Sequence, residues 1–145
     1  MGYCTDGLTF NTLRGGNVAR LPQFCNKHGA LAHSEPDGSD WSPAQWLQAL
    51  VGELGEFANI RKKFERGDLS FVEYREAAAN ELADVQIYLD LLALRCLDRP
   101  GVPPHPTGID LGQSTIKKFN EVSARVSSTV RLAADDWHHI RVGAS

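Results

Sequence analysis

Apolar residues along this chain recur mainly at helical spacing. Between Ser42 and Gly67, the positions Leu47, Leu50, Leu54, Phe57, Ile60 and Phe64 keep a 3.6-residue period, which predicts one helix of about six turns. Its start is signalled by Ser42-Pro43-Ala44-Gln45. The Ser42 hydroxyl can accept from an orphan amide, Pro43 needs no donor at the first helical position, and Gln45 can close a capping box. Ser70-Phe71-Val72-Glu73 repeats the signal, and Tyr74, Ala78, Leu82, Val85, Leu89 and Leu92 carry a second long helix that ends before Pro100. A turn near Gly67 and Asp68 makes the two helices antiparallel neighbours. Ile87, Tyr88, Leu91 and Leu94 widen the second stripe beyond what one partner helix covers, so an oligomer is expected.

The flanks are less regular. Gly15 and Gly16 precede Asn17, a good N-cap, and Val18, Leu21, Phe24 and Cys25 then fit a short helix ending at Gly29, with Pro22 counting against it. Residues 33–40 (HSEPDGSD) read as a connecting loop and 101–108 (GVPPHPTG) as a rigid one. Asp110 can cap a third strong helix carrying Leu111, Ile116, Phe119, Val122 and Val126. Residues 127–145 mix β-formers such as Thr129, Val130, Ile140 and Val142 with polar residues, which fits a short strand or an arm. No internal repeat or strand-helix-strand alternation is present. The expectation is one all-α domain over 1–145, with an N-terminal segment 1–40, helices over 41–126 and a tail 127–145.

Composition narrows the partners. With 145 residues, 15 Lys plus Arg against 18 Asp plus Glu give a net charge of −3, so no broad basic surface exists to neutralise a phosphate backbone, and no nucleic-acid partner is expected. No stretch approaches the ~20 apolar residues of a membrane span. The first ten residues, MGYCTDGLTF, lack a basic and apolar leader, and Asp6 stands where a myristoylation signal needs Ser or Thr, so a cytoplasmic location is expected. Cys4, Cys25 and Cys96 are odd in number and contain no CxxC pair, which fits free thiols rather than a disulfide framework or a zinc site.

Candidate chemistry lies on the two long helices. Glu53 and Glu56 in GELGEF, and Glu81 and Asp84 in NELADV, are each spaced i, i+3, which puts each pair on one face of its helix, about 60° apart around the axis. Side by side, the helices would bring four carboxylates to one patch. Like charges so close repel unless cations lie between them, and a set of carboxylate oxygens suits Mg²⁺ or Mn²⁺. The plain alternative is an ordinary helix surface with acidic residues at a common spacing.

The ordered set ExxE, 24 intervening residues, then ExxD, followed by Lys and Asn in KKFNEVSAR, resembles the MazG-like nucleoside triphosphate pyrophosphohydrolases of the all-α NTP pyrophosphatase superfamily. The resemblance runs from about Trp41 to about Val126, and the short chain is similar to members found in bacteriophages. It implies Mg²⁺-dependent cleavage between the α and β phosphates by a homodimer or homotetramer, with Glu53, Glu56, Glu81 and Asp84 as catalytic metal ligands. If phage-encoded, the protein would act in the host cytoplasm. By analogy with phage enzymes that reshape nucleotide pools, the expected substrate is a purine deoxynucleotide, dGTP first. dCTP, dUTP and damaged nucleotides remain open.

Cations and aromatics complete the candidate site. Lys63 lies seven residues after Glu56, about 20° from it around the helix, whereas Lys62 turns off that face. Lys118 and Asn120 match the family's Lys and Asn element and, with Arg125, are candidates for phosphate or sugar contacts, while Asn17, Arg20 and His33 from the N-terminal segment are candidates for base or phosphate contacts. Trp41 is a candidate for stacking on a base, while Trp46 reads as core. His138 and His139, after Asp135, Asp136 and Trp137, form a weak metal candidate. Other catalytic frames fail: GGNVAR is neither GxxxxGK[ST] nor GxGxxG, GxSxG and HExxH do not occur, and the absence of His from both long helices excludes a ferritin-like di-iron site. Two readings compete from other classes: a non-catalytic helical assembly module, and a nucleotide sensor that binds without cleaving.

Overall fold

The computed structural model describes residues 7–133. Among these the regular structure is helical: α1 (Phe10–Arg20), α2 (Pro43–Glu65), α3 (Phe71–Arg95) and α4 (Leu111–Arg125), with a 3-10 turn over Leu21–Gln23. Isolated strand-like bridges pair Cys25 with Leu31 and Ser34 with Asp40, and Arg131 is a further bridge position. No helix among the described residues is long and apolar enough to cross a membrane. The chain divides into two compact units, one ending at Gly108 and the other beginning at Ile109.

In the first unit α2 and α3 pack along each other. Both open on complete capping boxes, Ser42 with Gln45 and Ser70 with Glu73, so two orphan amides are satisfied at each start. The turn between them relies on Gly67, whose φ of 81° suits a residue without Cβ, and on the Gly67 and Asp68 amides donating back to the Phe64 and Lys63 carbonyls. Phe64 stacks on Tyr74 across this turn at 4.3 Å. Trp46 and Leu50 from α2, and Ala78, Leu91, Ala93 and Leu94 from α3, form the buried core.

The N-terminal helix lies elsewhere than the sequence pattern places it. Thr9, rather than Asn17, caps it, accepting from the Thr12 amide, and Gly15, Gly16 and Asn17 all lie inside it. The helix ends at Arg20, short of Pro22, in keeping with the restricted backbone that precedes proline. α1 has only a weak apolar stripe, so its place on α3 is fixed by polar contacts. The Arg14 guanidinium makes a 2.9 Å ion pair with Asp90, and the Asn17 amide donates to the other carboxylate oxygen at 2.9 Å. Asp90 is 1% exposed, so it depends on these partners.

The loop 96–108 is pinned at both ends. The Asp98 carboxylate accepts from the His105 amide at 2.8 Å, and His105 Nδ1 accepts from the Gly108 amide at 3.0 Å. Gly108 has a φ of 62°, and a Cβ there would lie 2.4 Å from the Ala93 carbonyl oxygen.

The second unit contains α4, capped by Asp110 accepting from the Gln113 amide. Asn120 pins the extended segment that follows, donating to the Leu132 carbonyl at 2.9 Å and accepting from its amide at 2.8 Å. The strand or arm expected over 127–145 falls partly outside the described residues, as do His138 and His139; residues 127–133 form no strand.

Gly108→Ala should therefore destabilise by several kcal/mol, whereas Gly101→Ala, at φ 74° but in open space, should cost only about 1–2 kcal/mol of backbone strain. Urea denaturation of the two variants checks this, and equal losses would contradict the close packing at Gly108.

Candidate active site

The packing of α2 on α3 brings the acidic pairs together. Glu53, Glu81 and Asp84 can each present a carboxylate oxygen such that all three lie within 4.8 Å of one another. Glu56 lies close enough for its charge to act on both Glu53 and Glu81. Partial burial holds the Glu53 carboxyl above its ordinary value, and the charges of Asp84, Glu56 and Glu81 push it further the same way. Glu81 is raised by the same causes: burial first, then Glu56 and Asp84. The cluster thus favours uptake of positive charge, as protons or as a cation. Its donors are all carboxylate oxygens, with neither His nor Cys among the three residues. That donor chemistry fits Mg²⁺ or Mn²⁺.

Asp84 also lines a crevice of about 200 Å³ beside the cluster, together with Asn17, Arg20, Phe24, His33 and Tyr88 among others. The walls are aromatic. The His33 ring stacks on Phe24 at 5.0 Å and on Trp46 at 4.9 Å, and meets Trp41 edge-on at 4.9 Å. Its Nε2 lies 3.1 Å from the Tyr88 hydroxyl. Burial, and then the nearby Arg20 charge, lower the His33 pKa and so favour the neutral ring. The Tyr88 phenol is pushed up by burial and by the Glu53 and Asp84 charges, with Arg20 opposing. His33, Tyr88 and Arg20 therefore share one electrostatic environment with the carboxylates. His33 Nδ1 and Trp46 Nε1 are buried without a hydrogen-bond partner among the described residues.

Of the residues singled out in the sequence, the structure gathers Glu53, Glu56, Glu81 and Asp84 with Arg20, Asn17 and His33, and sets Trp41 on the aromatic cluster. Trp46 is core, 1% exposed. Asn17 lines the crevice but directs its amide nitrogen to Asp90. Lys63 is half-buried, two turns beyond Glu56 on α2. Lys118, Asn120 and Arg125 lie on α4 in the second unit, with Lys118 and Arg125 exposed and the Asn120 amide bound to Leu132. Phe24 and Tyr88 escaped the sequence analysis because each fits a helical apolar stripe. The available signal for Tyr88 was its place one turn after Asp84. Asp90 also passed unremarked, although it is a charge within the apolar stripe of α3.

No protein-family model matches the chain, and no curated protein matches it.

A pH dependence follows from the raised carboxyls. Glu53 and Glu81 bind protons more tightly folded than unfolded, so their contribution to stability is present in acid and is lost as pH rises from the ordinary glutamate value through their folded values. A bound divalent ion should reverse that loss. Mg²⁺ or Mn²⁺ should raise Tm more at pH 8 than at pH 5. Glu53→Gln should raise the metal-free Tm at pH 8 and remove most of the metal's effect. An undiminished metal effect in that variant would contradict the assignment.

Proposed function

We propose that this chain is a Mg²⁺-dependent (deoxy)nucleoside triphosphate pyrophosphohydrolase of MazG-like type, releasing a nucleoside monophosphate and pyrophosphate. The observation that carries the reading is the junction at Asp84, which belongs both to the carboxylate cluster and to the aromatic crevice. A nucleotide is a ligand with both requirements, a flat base that stacks on aromatic rings and a polyphosphate that needs counter-charge.

Glu53, Glu56, Glu81 and Asp84 would hold Mg²⁺, with Mn²⁺ able to substitute, and the ion when bound supplies neutralisation of phosphate charge and a more acidic water. The remaining roles fall to the chain itself. The crevice walled by Phe24, His33 and Tyr88 receives the base, and a neutral His33 adds no charge there. The Arg20 guanidinium pairs with phosphate oxygens in a fork that suits them. Glu53 or Glu56 orients a water and accepts its proton as the oxygen bonds to the α phosphorus. The α-β anhydride bond breaks, and pyrophosphate leaves with that bond's electrons. Lys63, two turns beyond Glu56 on α2, provides a further phosphate contact. The substrate class is a purine deoxynucleotide, dGTP first, handled in the cytoplasm.

A homodimer or homotetramer accompanies this reading. Leu47, Val51 and Leu54 recur at helical spacing on α2 and are 50%, 57% and 45% exposed, and Leu82 on α3 is 47% exposed. So much apolar surface on two well-formed helices calls for cover by another copy. Val51→Asp should shift the sedimentation coefficient to that of a monomer while leaving the helical circular dichroism in place. An unchanged coefficient would contradict an interface at this face.

Activity is tested with a panel of NTPs and dNTPs in Mg²⁺ or Mn²⁺, resolving monophosphate plus pyrophosphate from diphosphate plus phosphate. Pyrophosphate release is expected, with dGTP among the best substrates, and chelator should stop it. Glu53→Ala and Asp84→Ala should each lower turnover at least about 100-fold with helicity retained. Tight nucleotide binding without product would identify a sensor. Neither binding nor product would favour an assembly module. Full activity in either variant would contradict the metal assignment.

A further inference from the structure

The crevice contains a cation whose placement is not left to a flexible side chain alone. Arg20 ends α1 and is itself exposed, yet its Nη2 donates to Asn17 Oδ1 at 3.4 Å. Asn17 lies one turn earlier, is 3% exposed, and is fixed through its other end: Nδ2 donates to Asp90 Oδ2 at 2.9 Å and to the Ile87 carbonyl at 3.4 Å. Asp90 is held in turn by Arg14, whose Nε donates to Oδ1 at 2.9 Å while Nη1 donates to the Thr107 carbonyl at 2.6 Å. The path thus runs from a buried carboxylate on α3, through the Asn17 amide on α1, to a guanidinium lining the crevice. A buried charge held by a two-armed partner is a rigid anchor, because moving either member leaves the other unpaired out of water.

We propose that Asp90 and Asn17 are positioning residues that hold the Arg20 guanidinium at the crevice for the anionic, phosphorylated end of a ligand. The class of ligand rests on the function proposed above; the tether itself does not. Orienting a guanidinium beforehand removes part of the ordering cost that an exposed arginine meets on binding. Asn17 on this account acts on the ligand only through Arg20, and it supplies the acceptor while Asp90 fixes the amide.

A double-substitution cycle in the full chain tests this with two readouts that need no turnover: NMR titration of the His33 imidazole, whose pKa the Arg20 charge depresses, and calorimetric binding of inorganic triphosphate with Mg²⁺. Arg20→Ala should raise the His33 pKa toward its ordinary value and weaken binding about tenfold, the loss of one charge-assisted hydrogen-bonded contact. Asn17→Ala should move both readouts in the same direction, and should change neither further in the Arg20→Ala background. Asn17→Ser, which keeps a hydroxyl for Asp90 but is too short to serve Arg20, takes its place if the alanine variant does not fold. Arg20→Lys should recover the His33 value but only part of the affinity. Wild-type values in the Asn17 variant, or a second loss of equal size in the double variant, would overturn the tether. Triphosphate that binds the wild type and Arg20→Ala equally would overturn the ligand role of Arg20. Absence of turnover in the wild type with the cycle as expected would overturn the hydrolase reading alone.

Discussion

Four carboxylates face one another across two packed helices, and much of the first unit can be understood as what tolerates that repulsion. Glu53 and Glu56 on α2 meet Glu81 and Asp84 on α3 because each helix repeats its acidic residue after one turn and the helices pack along their length. Nothing in the cluster itself favours this placement; burial first, and then the neighbouring charges, raise the proton affinity of Glu53 and Glu81. The opposing gain comes from apolar burial at Trp46, Leu50, Ala78, Leu91 and Leu94, and from the capping boxes that fix where each helix starts. Moving one helix by a residue would rotate its pair off the shared face by about 100°. The caps therefore fix the register of the cluster as well as stabilising the helices.

Beside the cluster, the polar and aromatic contacts divide the work. The aromatic group of Phe24, His33, Trp41, Trp46 and Tyr88 joins the loop after α1 to α2 and α3, and Phe24, His33 and Tyr88 of this group wall the crevice. The ion pair between Arg14 and Asp90 locates α1, whose own sequence is too polar and too rich in glycine to be held by apolar packing. An ion pair so little exposed adds less to net stability than to a unique arrangement, because the desolvation cost offsets much of the attraction. Here the arrangement it specifies includes Arg20 at the crevice.

The sequence is informative where a local rule and the tertiary structure agree. α2, α3 and α4 could be placed from Ser42, Ser70 and Asp110, because side-chain caps act within four residues and no distant contact opposes them. The acidic pairs were legible for the same reason, since i, i+3 spacing is a property of one helix. α1 was misplaced because Asn17 is as good a cap as it is a buried partner for Asp90, and only the fold decides between them. The crevice was the least legible feature: Phe24 and His33 come from the loop before α2 and Tyr88 from α3, and nothing local to Phe24 distinguishes a wall residue from a core one.

Whether the cluster exists to bind a cation is answered most directly by locating one. A crystal of the wild-type protein grown with Mn²⁺, measured at the manganese absorption edge, should show an anomalous peak coordinated by Glu53, Glu81 and Asp84, and the peak should vanish in Asp84→Asn. Manganese bound elsewhere, or no peak at these carboxylates under saturating Mn²⁺, would contradict the account.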